Sequence, residues 1–210
     1  EFIIKRPYTI KSYIFEVVAK KDIINISDYK TLFKLDSRYQ YFEKLKWDRT
    51  FIKFDENGYI NISKLNEMNV TKNDLDEYSR KCCELADHEY FNIYYLKKKG
   101  FESELDDLGF DDIFYQNIIK YTHGIQTLKF EKSYLFIETD LEVNKTKFLE
   151  SIIAKYKRIS SYDLLSLLRD DYGIELSLQK LKNILYNGNV YYNNIMDVFY
   201  ENYQIFFEEL

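Results

Sequence analysis

Five cations and a tryptophan fall close together between residues 38 and 53: Arg38, Lys44, Lys46, Trp47, Arg49 and Lys53. Lysine and arginine at this density neutralise phosphates, and the counterions released drive binding to nucleic acid. An indole among them packs against a sugar or stacks on a base. Two further clusters repeat this chemistry more thinly. Asn117, Lys120 and Lys132, near Gln116, His123 and Lys129, combine an amide suited to adenine edges with cations suited to phosphate. Lys180 and Lys182 sit beside Gln179 and Asn183 in the same way. The plainer reading is that these charges form solvated helix faces and that Trp47 closes a small core.

Catalytic chemistry has little to work with. The chain has only 6 Gly, and neither a Rossmann nor a P-loop glycine pattern can be placed. His88 and His123 lack Cys or His neighbours at metal-ligand spacing. Asp87, His88 and Glu89 are consecutive, so on a helix they point in different directions. The pairs Asp106-Asp107, Asp111-Asp112 and Asp170-Asp171 read as helix-start and loop carboxylates rather than a cation site. No Ser or Cys lies in a nucleophile motif. The expectation is a protein that is not an enzyme, with no cofactor and no metal.

Composition sets the class. With 46% hydrophobic and 31% charged residues, the 210-residue chain is that of an ordinary globular protein. There is no run of about 18 apolar residues and no secretory leader, so no membrane span is expected. Cys82 and Cys83 are adjacent and offer no disulfide framework, which suits a reducing, intracellular setting, cytoplasmic or nucleoid/nuclear. The absence of an initiating Met suggests a piece of a longer protein.

The elements that must position these clusters follow from periodicity. After Pro7, Ile10, Ile14, Val17 and Val18 give a first helix its buried stripe. Ser27 starts a second short helix, and Asp36 or Ser37 a third, through Phe42 and Leu45. The runs FIKF and YINI then flank Asn57-Gly58, a strong hairpin signal. A second stretch begins near Thr71, with Asn73 as helix cap and Leu75, Tyr78, Cys82 and Leu85 as the stripe. A short helix through Tyr94–Leu96 stops at Gly100. Phe110, Phe114, Ile118 and Tyr121 mark the next helix, which Gly124 ends. The runs IQTLKF and SYLFIE, turning near Glu131 and Lys132, make a second hairpin. In the third stretch Leu149, Ile152, Ile153 and Tyr156 define one helix. Ser160 or Ser161 opens another, ended by Gly173, and Ser177 caps a third. Short strands around VYY and DVFY form a reduced hairpin, and NYQIFFEEL adds an amphipathic tail.

Helices followed by a hairpin, three times over, resemble the winged-helix branch of the helix-turn-helix superfamily. The resemblance implies a mainly α fold with small β-hairpins (α+β), in three consecutive winged-helix-like units packed together: residues 1–70, 71–141 and 142–210. It implies that the helix before each hairpin is the recognition helix, that the hairpin is the wing, and that nucleic acid, double-stranded DNA in particular, is the partner. A minority of such domains bind proteins instead.

Charge is unevenly distributed. Residues 1–70 hold 13 Lys and Arg against 10 Asp and Glu, residues 71–141 hold 9 against 15, and residues 142–210 hold 8 against 10. Only the first stretch is net basic, so it is expected to supply most of the phosphate contacts. The alternative is an acidic protein-interaction or scaffolding module of a nucleic-acid-processing complex, with Phe206 and Phe207 facing a partner.

Overall fold

The structure, a computed structural model, describes residues 4–130 and 133–208. The chain is mainly α-helical with small antiparallel sheets of two or three strands. The described residues divide into two compact units. Unit 1 comprises Glu1–Glu84 and Glu102–Ile125, and unit 2 comprises Leu85–Phe101 and Gln126–Leu210. The sequence places boundaries at 70/71 and 141/142 instead. No described helix is long and apolar enough to cross a membrane.

Unit 1 opens with helix α1 (Ile10–Glu16), whose Thr9 N-cap and Ser12 form a reciprocal capping box. Strand β1 (Ile23–Asn25) leads into a 3₁₀ turn at Ile26–Tyr29, capped by Asn25 rather than by the expected Ser27. Helix α2 (Asp36–Trp47) follows, with Leu35 at its N-cap and no side-chain cap. Strands β2 (Phe51–Lys53) and β3 (Gly58–Asn61) form the expected hairpin. Its turn is held by the Asp55 carboxylate, which accepts from the Asn57 and Gly58 amides. A Cβ at Gly58 would lie 2.7 Å from both that carboxylate and the Phe54 ring, so a larger residue there would have to displace these side chains from the turn. The sheet order is β1-β3-β2, with Ile24 opposite Tyr59 and Ile52 opposite Ile60.

The core of this part is aromatic. Phe42 is fully buried, with Phe33, Phe51 and Tyr59 at ring distances of 5.0–5.8 Å. Burying one such ring contributes about 1.5–3 kcal/mol. Helix α3 (Ile62–Asn66) then leads to α4 (Lys72–Ala86), where Thr71 and Asp74 exchange capping bonds in place of the expected Asn73 cap. Leu75, Tyr78 and Cys82 are buried as their spacing predicts, but Leu85 is exposed. Helix α6 (Asp112–Lys120), preceded in the chain by α5 (Ile93–Lys98), packs on β2.

In unit 2, β4 (Ile125–Phe130), whose first residue belongs to unit 1, pairs with β5 (Ser133–Glu138), and Phe91 bridges to Phe136 of β5. Glu131 and Lys132, where the turn is expected, lie outside the described residues. Helix α7 (Lys145–Tyr156), strand β6 (Arg158–Ser160), helix α8 (Ser161–Tyr172), helix α9 (Leu178–Leu185) and strands β7 (Tyr191–Asn193) and β8 (Val198–Tyr200) follow. Ser160 and Ser177 cap α8 and α9, and Gly173 ends α8 with φ +62°. The sheet order is β6-β8-β7. Phe148 anchors the core, edge-on to Tyr90, Phe130 and Tyr172. Tyr156, expected to be inward, is exposed. Helix α10 (Tyr203–Glu208) packs on β8.

The first and last parts of the chain thus share one order: helix, strand, helical turn or helix, helix, strand, strand. In both sheets the last strand lies between the other two. The middle stretch has the same chain order if the Phe91 bridge counts as its first strand, but its elements are divided between the two units.

Candidate nucleic-acid interface

Helix α2 carries the densest set of expected contact residues, and its own geometry separates them. Tyr39, Glu43 and Lys46 are spaced four and then three residues apart, which puts them on one helix face. That face is turned inward. The Lys46 ammonium is buried, pairs with Glu43 and donates to the Tyr39 hydroxyl at 3.1 Å. It also lies within 4.9–5.8 Å of the ring centres of Tyr39, Phe42, Tyr59 and Tyr121, a cation–π cage. Tyr121 donates to the other Glu43 oxygen at 3.1 Å. Burial, with Glu43 close by, pushes the Tyr39 hydroxyl up to about 12, and burial pushes Tyr59 up to about 12. Lys46 is therefore a core cation and not a phosphate contact. A carboxylate and aromatic rings solvate it, so the protein satisfies a charge that would otherwise be costly to bury.

Arg49 is the second correction. Helix α2 ends in a Schellman motif: the Arg49 amide donates to the Lys46 carbonyl and the Thr50 amide to the Leu45 carbonyl. The motif needs a left-handed residue at Arg49, and its φ is +55°. Glycine would adopt this without strain, whereas arginine does so at a backbone cost. The side chain compensates. It is buried, with Nε at 3.0 Å and an Nη at 2.9 Å from Asp76, Nη1 donating to the Ile118 carbonyl at 2.8 Å, and Nη2 to Thr122 Oγ1 at 2.7 Å. Burial lowers its pKa and Asp76 opposes that shift, so the guanidinium stays charged. Its donors are used inside unit 1.

Asn117 is also internal. Its side-chain oxygen accepts from the Lys53 amide at 2.9 Å, which ties α6 to the outer edge of β2. The amide expected to read adenine instead satisfies the backbone of the expected wing, and the Lys53 side chain beside it is half-buried.

The other expected residues are nearer the surface. Lys44 is exposed, and Arg38 and Lys120 are half-buried. Trp47 retains 43% exposure, edge-on to Tyr121 at 5.2 Å and stacked on exposed His123 at 5.5 Å and 28°. Lys120 extends over the Tyr121 ring at 5.6 Å. Lys132 lies outside the described residues. In unit 2 Lys180 is exposed on α9, while Lys182 lies over the Tyr192 ring at 4.1 Å. Of the two tail phenylalanines, Phe206 packs on Tyr191 and Tyr200, and only Phe207 is exposed. The expected pair therefore does not present one surface.

Sequence reasoning missed the aromatic cage, although the spacing of Tyr39, Glu43 and Lys46 was a usable sign. It also missed the tip of the β7–β8 hairpin, where Ile195 is 97% exposed and Met196 55%. Nothing local distinguishes an exposed isoleucine from a buried one. No family model matches this chain, and no curated protein matches it either.

Proposed function

We propose that this chain is a nucleic-acid-binding region of a larger intracellular protein, built from consecutive winged-helix units. The observation that carries the reading is the repeated element order, with the last strand central in both three-stranded sheets. In a winged helix that arrangement places a helix and a hairpin side by side for contact. The exposed residues at the outer end of α2, Lys44 and Trp47 with Lys120 and His123 near them, supply the phosphate and base chemistry. A fluorescence-anisotropy titration with labelled duplex and single strand at two salt concentrations tests it. Binding that weakens steeply with salt is the expected result, and no binding at low salt overturns it.

A second reading is a protein-interaction module of a nucleic-acid-associated complex, and the β7–β8 hairpin favours it. Residues 189–200 contain no lysine or arginine, and the tip presents Ile195 and Met196. A wing built to lie on phosphates would carry cations there. Under this reading Ile195→Asp and Phe207→Glu release a co-purifying partner without changing the fold.

A further inference from the structure

We infer that the end of α2 is a stacking platform for an unpaired base, so that single strands rather than duplexes are the ligand of this site. The inference rests on the nucleic-acid reading above and narrows it. Trp47 is half-exposed yet fixed on one side by the edge contact with buried Tyr121, which is itself held by its bond to Glu43. His123 continues the indole as a second, exposed ring. A side chain restrained in this way loses little entropy when a base extends the stack.

The charges linked to the platform by contact or by sequence favour a polyanion. Lys44, Lys46, Arg49, Lys72 and Lys120 stand against Glu43, Asp48 and Asp76, a local balance of +2 in a chain of −5. Lys46 and Arg49 already neutralise Glu43 and Asp76. Lys72 bonds the Asp48 carbonyl and closes the end of the helix. Lys44, exposed one turn before Trp47 on the same helix, faces solvent where it can meet phosphate.

The same geometry disfavours a duplex. Base faces in a duplex are covered by their neighbours, and reading base edges calls for the N-terminal part of a recognition helix with the wing on the backbone. Here the aromatic pair lies at the C-terminal end of α2, and the outer edge of β2 is tied down by Asn117 and packed on α6.

Trp47 is the only tryptophan, so its fluorescence reports on this position alone. An oligothymidylate single strand should quench it saturably, while the matching duplex and heparin should not. Trp47→Ala should weaken single-strand binding by roughly tenfold or more, as loss of one base–aromatic stack does. Lys44→Glu, at an exposed position, should weaken binding most at low salt. Circular dichroism melting confirms that each variant folds. Single-strand affinity unchanged in Trp47→Ala, or equal quenching by duplex or heparin, overturns the platform while leaving the nucleic-acid reading in place. No anisotropy change with either form of DNA overturns both.

Discussion

The first and last three-stranded sheets have the same strand order, but the helices and hairpins around them use their cations in opposite ways. At the first, the helix end and the hairpin edge are absorbed into unit 1: Arg49 bonds α4 and α6, and the Lys53 amide is held by Asn117. At the last, Lys180 is exposed, Lys182 lies over one tyrosine, and the hairpin tip is open. The region richer in cations is therefore the one whose cations are more structural. Local basicity identifies a binding face only when nothing within the same compact unit needs those charges, and in unit 1 α4 and α6 need them.

The largest contrast should come from comparing Arg49→Ala with Lys182→Ala. Arg49→Ala removes bonds to three partners, Asp76, the Ile118 carbonyl and Thr122. We expect unit 1 to lose about 2–4 kcal/mol. Lys182→Ala removes one solvent-facing cation–π contact, worth about 0.5–1 kcal/mol. Urea melts with hydrogen exchange to localise the loss would measure both. Arg49→Gly should be less damaging than Arg49→Ala, because glycine removes the left-handed strain that alanine keeps. Equal losses in Arg49→Ala and Lys182→Ala would erase the distinction.

Alkaline pH should act on the same part of unit 1. Tyr39 and Tyr59, beside the Lys46 cage, are held at about 12, against about 10 for an unfolded tyrosine. The folded state therefore keeps these protons longer than the unfolded chain does. Their contribution is fully present below about pH 10 and is lost as pH rises toward about 12. Tyrosinate absorbance followed alongside melting temperature should show both changing in that window. In Lys46→Met the fall should begin from a lower starting stability, since the Glu43 carboxylate loses its cation and keeps only hydroxyl donors. A melting temperature flat to pH 12 would contradict the burial of these hydroxyls.

Asn117→Ala should have a smaller effect, about 1–2 kcal/mol, because one backbone donor at a strand edge loses its acceptor. Faster exchange at the Lys53 amide is the specific sign. Unchanged exchange there would mean that β2 does not depend on α6.

How far the sequence exposes this difference depends on the range of each interaction. Hairpins, glycine stops at Gly100 and Gly173, and the Ser160 and Ser177 caps are set by neighbours a few residues away, so periodicity and turn chemistry reveal them; the helix expected to run to Gly124 ends earlier, at Lys120, and Gly124 serves the turn into β4. Lys46 and Arg49 look like surface cations because their partners Tyr121, Asp76 and Ile118 lie 27 or more positions along the chain. Asn117 is hidden in the same way, since its partner is a backbone amide 64 positions away. Leu85 and Tyr156 fit apolar stripes but lie at or near helix ends, where the stripe no longer faces the core. The candidate site was thus legible as chemistry but not as exposure.

The smallest expected effect tests the comparison at its sharpest point, the two hairpin turns. Each carries an apolar residue: Phe54 in the first, Ile195 in the last. Phe54 is half-buried, with Phe110 at 6.1 Å, so Phe54→Asp should destabilise unit 1 by about 1–3 kcal/mol through lost apolar contact. Ile195 is 97% exposed, and Ile195→Asp should leave stability within about 0.5 kcal/mol of the parent. An exposed isoleucine of no value to the fold is free to serve a contact outside it, whereas Phe54 is already committed inside its unit. If Ile195→Asp proves as costly as Phe54→Asp, the last hairpin is as firmly bound into its unit as the first, and the case for an open hairpin tip there is lost.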